Sequence, residues 1–132
     1  MAHDTSHADA YVPDDALIAR QNDRWRRAVC TMPPGMTGPD GLNGRVLFTR
    51  AVAARGPLFP LLCLAKIAGH ETFDPENDPE GRRDFGAVKV EGERVWFKID
   101  LFADEGMNWG AERPDDPSRT YRVMTVMFPS DW

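Results

Sequence analysis

Cysteine is nearly missing from this chain: Cys30 and Cys63 are the only two, and no CxxC occurs. That excludes a disulfide scaffold and a cysteine-rich zinc site, and reduced, buried thiols are expected. Histidine is equally sparse. His3 and His7 lie near the start and His70 stands alone, so no HxxxH pair and no Ser-His-Asp set can be assembled. Lysine is scarce as well. No apolar run approaches the roughly 18 residues of a membrane span, and the longest, Leu58 to Ala65, is interrupted by Pro60. The opening Met1-Ala2-His3-Asp4 lacks the basic and apolar regions of a secretory leader, so a cytoplasmic location is expected.

What is present suffices for one compact domain. The chain has 132 residues, 42% of them hydrophobic, with four Trp and a net charge of −5. The charge is segregated. Residues 71–116 carry 14 Asp and Glu against 6 Lys and Arg, whereas the bases elsewhere are mostly Arg, from Arg20 to Arg55. An acidic half of this kind is either a solvated surface or a face for a basic partner.

Along the chain, residues 1–12 are small and polar and read as a flexible tail. Residues 13–132 form a single α+β domain. Pro13-Asp14-Asp15 is a helix start, and Leu17, Ile18, Trp25 and Val29 recur near helical spacing to about Cys30, with Arg20, Arg24 and Arg27 opposite. Met32 to Gly44, rich in Gly and Pro, is a loop. Arg45 to Thr49 reads as a strand, and Pro57 to Ala68 as a mostly buried helix ending at Gly69, with His70 interacting with its C-terminal dipole. Phe85 to Val90 and Glu93 to Phe102 are strands joined at Glu91-Gly92, and Arg119 to Phe128 is a last strand.

The expected order is α-β-α-β-β-β. Two helices should pack on one face of an antiparallel sheet that ends in a C-terminal β-meander. Val95, Phe97, Ile99, Val123 and Met127 are expected to face the helices, and Trp96, Lys98 and Asp100 the other side.

Catalytic chemistry has few candidates. Glu76, Asp78 and Glu80 alternate before Gly81 as in a calcium loop, but the closing carboxylate position holds Ala87. No metal and no cofactor is expected. Asp84 and Asp100 lie on paired strands and could act as an acid–base pair. The alternative is that Asp84 caps the turn while Asp100 pairs with Arg122. Direct nucleic-acid binding is not expected, because the net charge is negative and no helix-turn-helix pattern occurs. Trp96, Trp109 and Trp132 suit either a protein interface or ordinary packing.

Several motifs together carry a resemblance. Asn77-Asp78-Pro79-Glu80-Gly81, Asp84-Phe85-Gly86, Phe97-Lys98-Ile99-Asp100 and Arg122-Val123-Met124-Thr125-Val126-Met127 resemble the bacterial family called domain of unknown function 3768. Arg45 to Thr49 and Asn22-Asp23-Arg24 fit more loosely. The chain departs from that family at Arg83, where a His is usual. It departs again at Leu101 to Asp104, where an aromatic pair with an acid is usual. The resemblance implies a setting on plasmids and other mobile elements of proteobacteria, often beside anti-restriction genes. It implies no activity.

These readings favour a non-enzymatic accessory protein that binds a host protein, such as a defence nuclease or CRISPR effector. The binding residues expected are Asp74, Glu76, Asp78, Glu80, Asp104, Glu105 and Trp109. The alternatives are a small hydrolase-like enzyme using Asp84 and Asp100, and a plasmid-maintenance regulatory domain.

Overall fold

The computed structural model describes residues 10–32 and 38–132. Most of the expected tail, residues 1–9, and part of the expected loop, residues 33–37, lie outside the described residues. Among the described residues no helix is long and apolar enough to cross a membrane.

Asp14 caps the first helix, α1 (Asp15–Val29), by accepting a hydrogen bond from the Leu17 N–H at 3.0 Å. This satisfies one of the four donors that a helix start leaves free. Ile18, Asn22, Trp25 and Arg26 are buried on one side of α1, while Arg20, Arg24 and Arg27 are exposed on the other. The first strand, β1 (Asn43–Phe48), is followed by a single-turn helix, α2 (Arg50–Ala53), capped by Thr49. The apolar helix α3 (Leu58–Ala68) comes next. Then follow β2 (Phe85–Val90), β3 (Glu93–Phe102) and β4 (Tyr121–Met127). Glu91 and Gly92 both have positive φ, 50° and 82°, as a two-residue type I′ hairpin requires.

The protein therefore has mixed α/β content, with a four-stranded sheet in the order β1-β4-β3-β2. β2, β3 and β4 form the expected antiparallel meander. β1 corrects the expectation of a wholly antiparallel sheet, because it pairs with β4 in parallel, Asn43 beside Tyr121 through Phe48 beside Val126. A parallel pair needs a long crossover, and the connection from β1 to β4 contains two helices and two strands.

One core joins the helices to the sheet. It contains Trp25 of α1, Val52 of α2, and Phe59, Cys63 and Ile67 of α3. Val95, Phe97 and Ile99 of β3 meet them, as expected, with Met124 and Val126 of β4. Burying each such side chain contributes about 1.5–3 kcal/mol. Val123 and Met127 correct the expectation for β4. Phe97 lies opposite Val126 and Ile99 opposite Met124, so the register turns Val123 and Met127 to the other face. They are nevertheless buried there, and Trp96, level with Met127, packs edge-on against Phe85 and Trp132 on that face.

Candidate functional site

The buried side of α1 is only partly apolar. Helical spacing places Asn22 and Arg26 on the stripe of Ile18 and Trp25, and both are fully buried. A buried cation is tolerated only when it is hydrogen-bonded and paired. Arg26 meets that requirement three ways. It bonds the Asp23 carboxylate at 2.8 Å, the His70 carbonyl at 2.7 Å and the Ile67 carbonyl at 3.3 Å. Asp23 also accepts from Arg83 at 2.6 Å. Asn22 donates to the Arg82 carbonyl at 3.0 Å and accepts from Arg122 of β4 at 2.9 Å. Gln21 takes a second Arg122 nitrogen at 2.9 Å.

This seam fixes the acidic segment 71–83 against the domain. Arg82 pairs with Asp15 at 2.8 Å, and the Arg83 side chain reaches Asp23 while lying over the Phe73 ring. Arg83 itself has φ of 58°, and both oxygens of Asp78 accept from its backbone N–H at 3.0 and 3.1 Å. Asp78 is buried, so its carboxylate shapes the turn and is not part of an exposed face. Asp74 is exposed and ties the loop's start by accepting from the Glu76 N–H. Glu76 and Glu80 are exposed.

The paired-carboxylate arrangement is not assembled. The Ile99 N–H donates to the Asp84 carbonyl at 2.8 Å, which sets Asp84 opposite core-facing Ile99. Asp100 is one residue further along β3 and turns to the other face. Asp100 pairs with Lys98 at 2.9 Å, correcting the expected partnership with Arg122, and the turn is capped by Asp78 and not by Asp84. Burial, reinforced by the nearby Asp78 charge, raises the Asp84 pKa above the usual carboxylate value.

Asp104 and Glu105 are exposed in the loop after β3, and Trp109 is 77% exposed. Arg45 of β1 reaches toward the Glu105 carbonyl and the Met107 sulfur, so this loop stands beside the β1 edge. Asp74, Glu76 and Glu80 precede β2, the opposite edge. Three interstrand spacings of about 4.8 Å separate the edges, so the acids form two groups and not one continuous face.

A concavity of 1070 Å³ lies along β1 and the end of α1, lined by Trp25, Cys30, Phe48 and Leu61, with Asp104 and Glu105 at its rim. None of the seam's hydrogen-bonded polar side chains lines it. Burial pushes the Cys30 thiol up to about 12 and the Cys63 thiol up to about 11, so neither is a thiolate at neutral pH. His70 is held between Phe73 and Phe97, edge-on to both rings. Gly69 ends α3, as expected, and the His70 N–H donates to the Ile67 carbonyl at 3.1 Å. Burial first, and then the Arg26 charge, lowers the His70 pKa.

Sequence reasoning passes over Arg26, Gln21 and the burial of Arg122. The available signal is the helical spacing of Ile18, Asn22, Trp25 and Arg26, which puts polar residues on the apolar stripe. Asn22, Asp23, Asp78 and Arg122, which carry the motif resemblance, thus meet in one network.

Neither a curated protein nor a solved structure matches the chain. The profile of the family described as Protein of unknown function (DUF3768) matches residues 48–131, more than half of the chain. The chain belongs to that family.

Proposed function

We propose that this domain is a non-enzymatic binding protein that presents its acidic segment 71–80 to a basic surface of a host protein. The specific form of this reading is an anti-defence role carried by a mobile element, the host protein being a CRISPR effector or a restriction nuclease. One observation supports it above others: buried Asn22, Asp23 and Asp78 together with half-buried Arg82 and Arg83 hold this segment in one shape. Binding groups fixed in advance lose little entropy on association. Exposed carboxylates so fixed can occupy positions that nucleic-acid phosphates would take on such an effector.

The test is affinity capture from a host lysate followed by binding kinetics against the protein captured. Glu76→Lys with Glu80→Lys should slow association, and attraction should weaken with salt, since exposed charges are screened beyond about 8–10 Å. Kinetics indifferent to both salt and the double reversal would sink the reading.

A further inference from the structure

The face of the β2–β3 hairpin turned away from the helices is basic and aromatic in an acidic chain. The register places Lys89 opposite Arg94, Ala87 opposite Trp96, and Phe85 opposite Lys98, all on that face. Lys89 and Arg94 are exposed, and among the described residues neither has a carboxylate at ion-pair distance. Two like charges directly opposite each other cost a sheet stability. An incoming anion at this pair would relieve that cost.

Aromatic surface continues from the cations. Ala87 is small and exposed and lies opposite Trp96, whose half-buried ring is flanked by Phe85 of β2 at 5.3 Å. The Trp132 ring packs edge-on against Phe85 and Trp96, at centroid distances of 6.3 and 6.1 Å, with the Lys98 ammonium 5.5 Å from its centre. Trp132 is 73% exposed. It is held by a 3-10 turn, Pro129–Asp131, whose Asp131 carboxylate accepts from the Phe128 N–H at 2.9 Å and the Thr49 hydroxyl at 2.7 Å. Two carboxylates oppose the set: Asp100, paired with Lys98, and Asp131, which is engaged by the Phe128 N–H and the Thr49 hydroxyl.

We propose that this face binds single-stranded nucleic acid, with Lys89, Arg94 and Lys98 taking phosphates and Trp132 stacking on a base. Charge complementarity argues for an anionic partner. An exposed ring beside the cations argues for one that also carries flat bases, which an acidic protein surface lacks. The inference does not depend on the acidic segment or its partner.

The test is fluorescence anisotropy of labelled oligo-dT and oligo-rU strands of about 12 nucleotides, titrated with the full chain between about 50 and 200 mM salt. Binding of at least one strand, weakening with salt, is expected. Which strand binds more tightly distinguishes DNA from RNA. Trp132→Ala should weaken binding by about fivefold or more, and Trp132→Phe should retain most of the affinity. Arg94→Glu gives the sharpest discrimination. It replaces a repulsion across the hairpin with an attraction to Lys89, so the unfolding midpoint should hold or rise while binding falls and its salt dependence shrinks. Failure of both strands to bind at the lowest salt overturns the proposal. So does binding unchanged by Arg94→Glu. Loss of binding on Arg94→Glu with no effect of Trp132→Ala, accompanied by competition from a polyglutamate peptide, would assign the face to an acidic protein instead.

Discussion

Arg122 is the residue around which the polar seam is balanced. It is fully buried, its two partners Asn22 and Gln21 are neutral, and its remaining nitrogen, Nη1, has no partner among the described residues. Burial lowers its pKa to about 10, so it remains a cation at neutral pH. Truncating either side of its contact strands the other, so Asn22→Ala should cost about 1.5–3 kcal/mol, read as a shift in the urea midpoint. A midpoint within error of the parent would remove Asn22 from the seam. His70 sets a pH dependence. Its folded pKa lies below the unfolded value, so the fold holds it neutral. That stability is fully present above about pH 6.5 and is lost as the pH falls from there toward the folded pKa, because the unfolded chain takes up the proton first. Denaturation at pH 7.5 and pH 5 should show the parent losing more stability than His70→Gln; equal losses would exclude His70 as a source. Phe97→Ala, at the centre of the core and against the His70 ring, should cost about 3–5 kcal/mol.

At the scale of elements, what was legible in the sequence follows from periodicity. α1 and the hairpin carry repeats of 3.6 and 2, α3 is a compact apolar run opened by Pro57 and Pro60, and each forms close to its expected bounds. The direction of β1 carries no such signal, since Arg45-Val46-Leu47-Phe48 is equally apt for either orientation. β4 misleads for a related reason: Val123, Met124, Val126 and Met127 are apolar in both phases. Its phase is fixed by Arg122, whose side chain must reach Asn22 and Gln21 on α1, a contact between residues a hundred positions apart. The candidate site was less legible still, because acids that look alike in sequence do different work. Asp78 is an internal cap, so Asp78→Lys should destabilise the domain, whereas Glu76→Lys and Glu80→Lys should stay within about 0.5 kcal/mol of the parent. Three matching denaturation midpoints would show that the turn does not need Asp78. Gly44 makes a comparable test of α1 against β1. An added Cβ would run into the Arg122 carbonyl oxygen and come within 2.7 Å of the Trp25 ring. Gly44→Ala should therefore cost at least about 1–3 kcal/mol by overpacking, and an unchanged midpoint would show that the two elements have room to part.

At the scale of the whole molecule, the domain is larger than the region by which its family is recognised. The matched residues begin at Phe48, leaving out α1 and nearly all of β1, yet Arg122, Arg83 and Trp25 bind the two regions together. A chain cut to residues 48–131 should fail to unfold cooperatively by circular dichroism, and adding residues 10–47 back should restore the transition. The parallel pairing of β1 with β4 bears further on how the protein comes into being. The first strand leaves the ribosome early, but the strand it needs is the last of the four to be made. At about 5–20 residues per second, the nascent chain spends several seconds with α1 and β1 complete and unmatched. During that interval Asn22 and Gln21 await Arg122 and one flank of Trp25 awaits the closed sheet, so the growing polypeptide depends on whatever shelters it until β4 arrives.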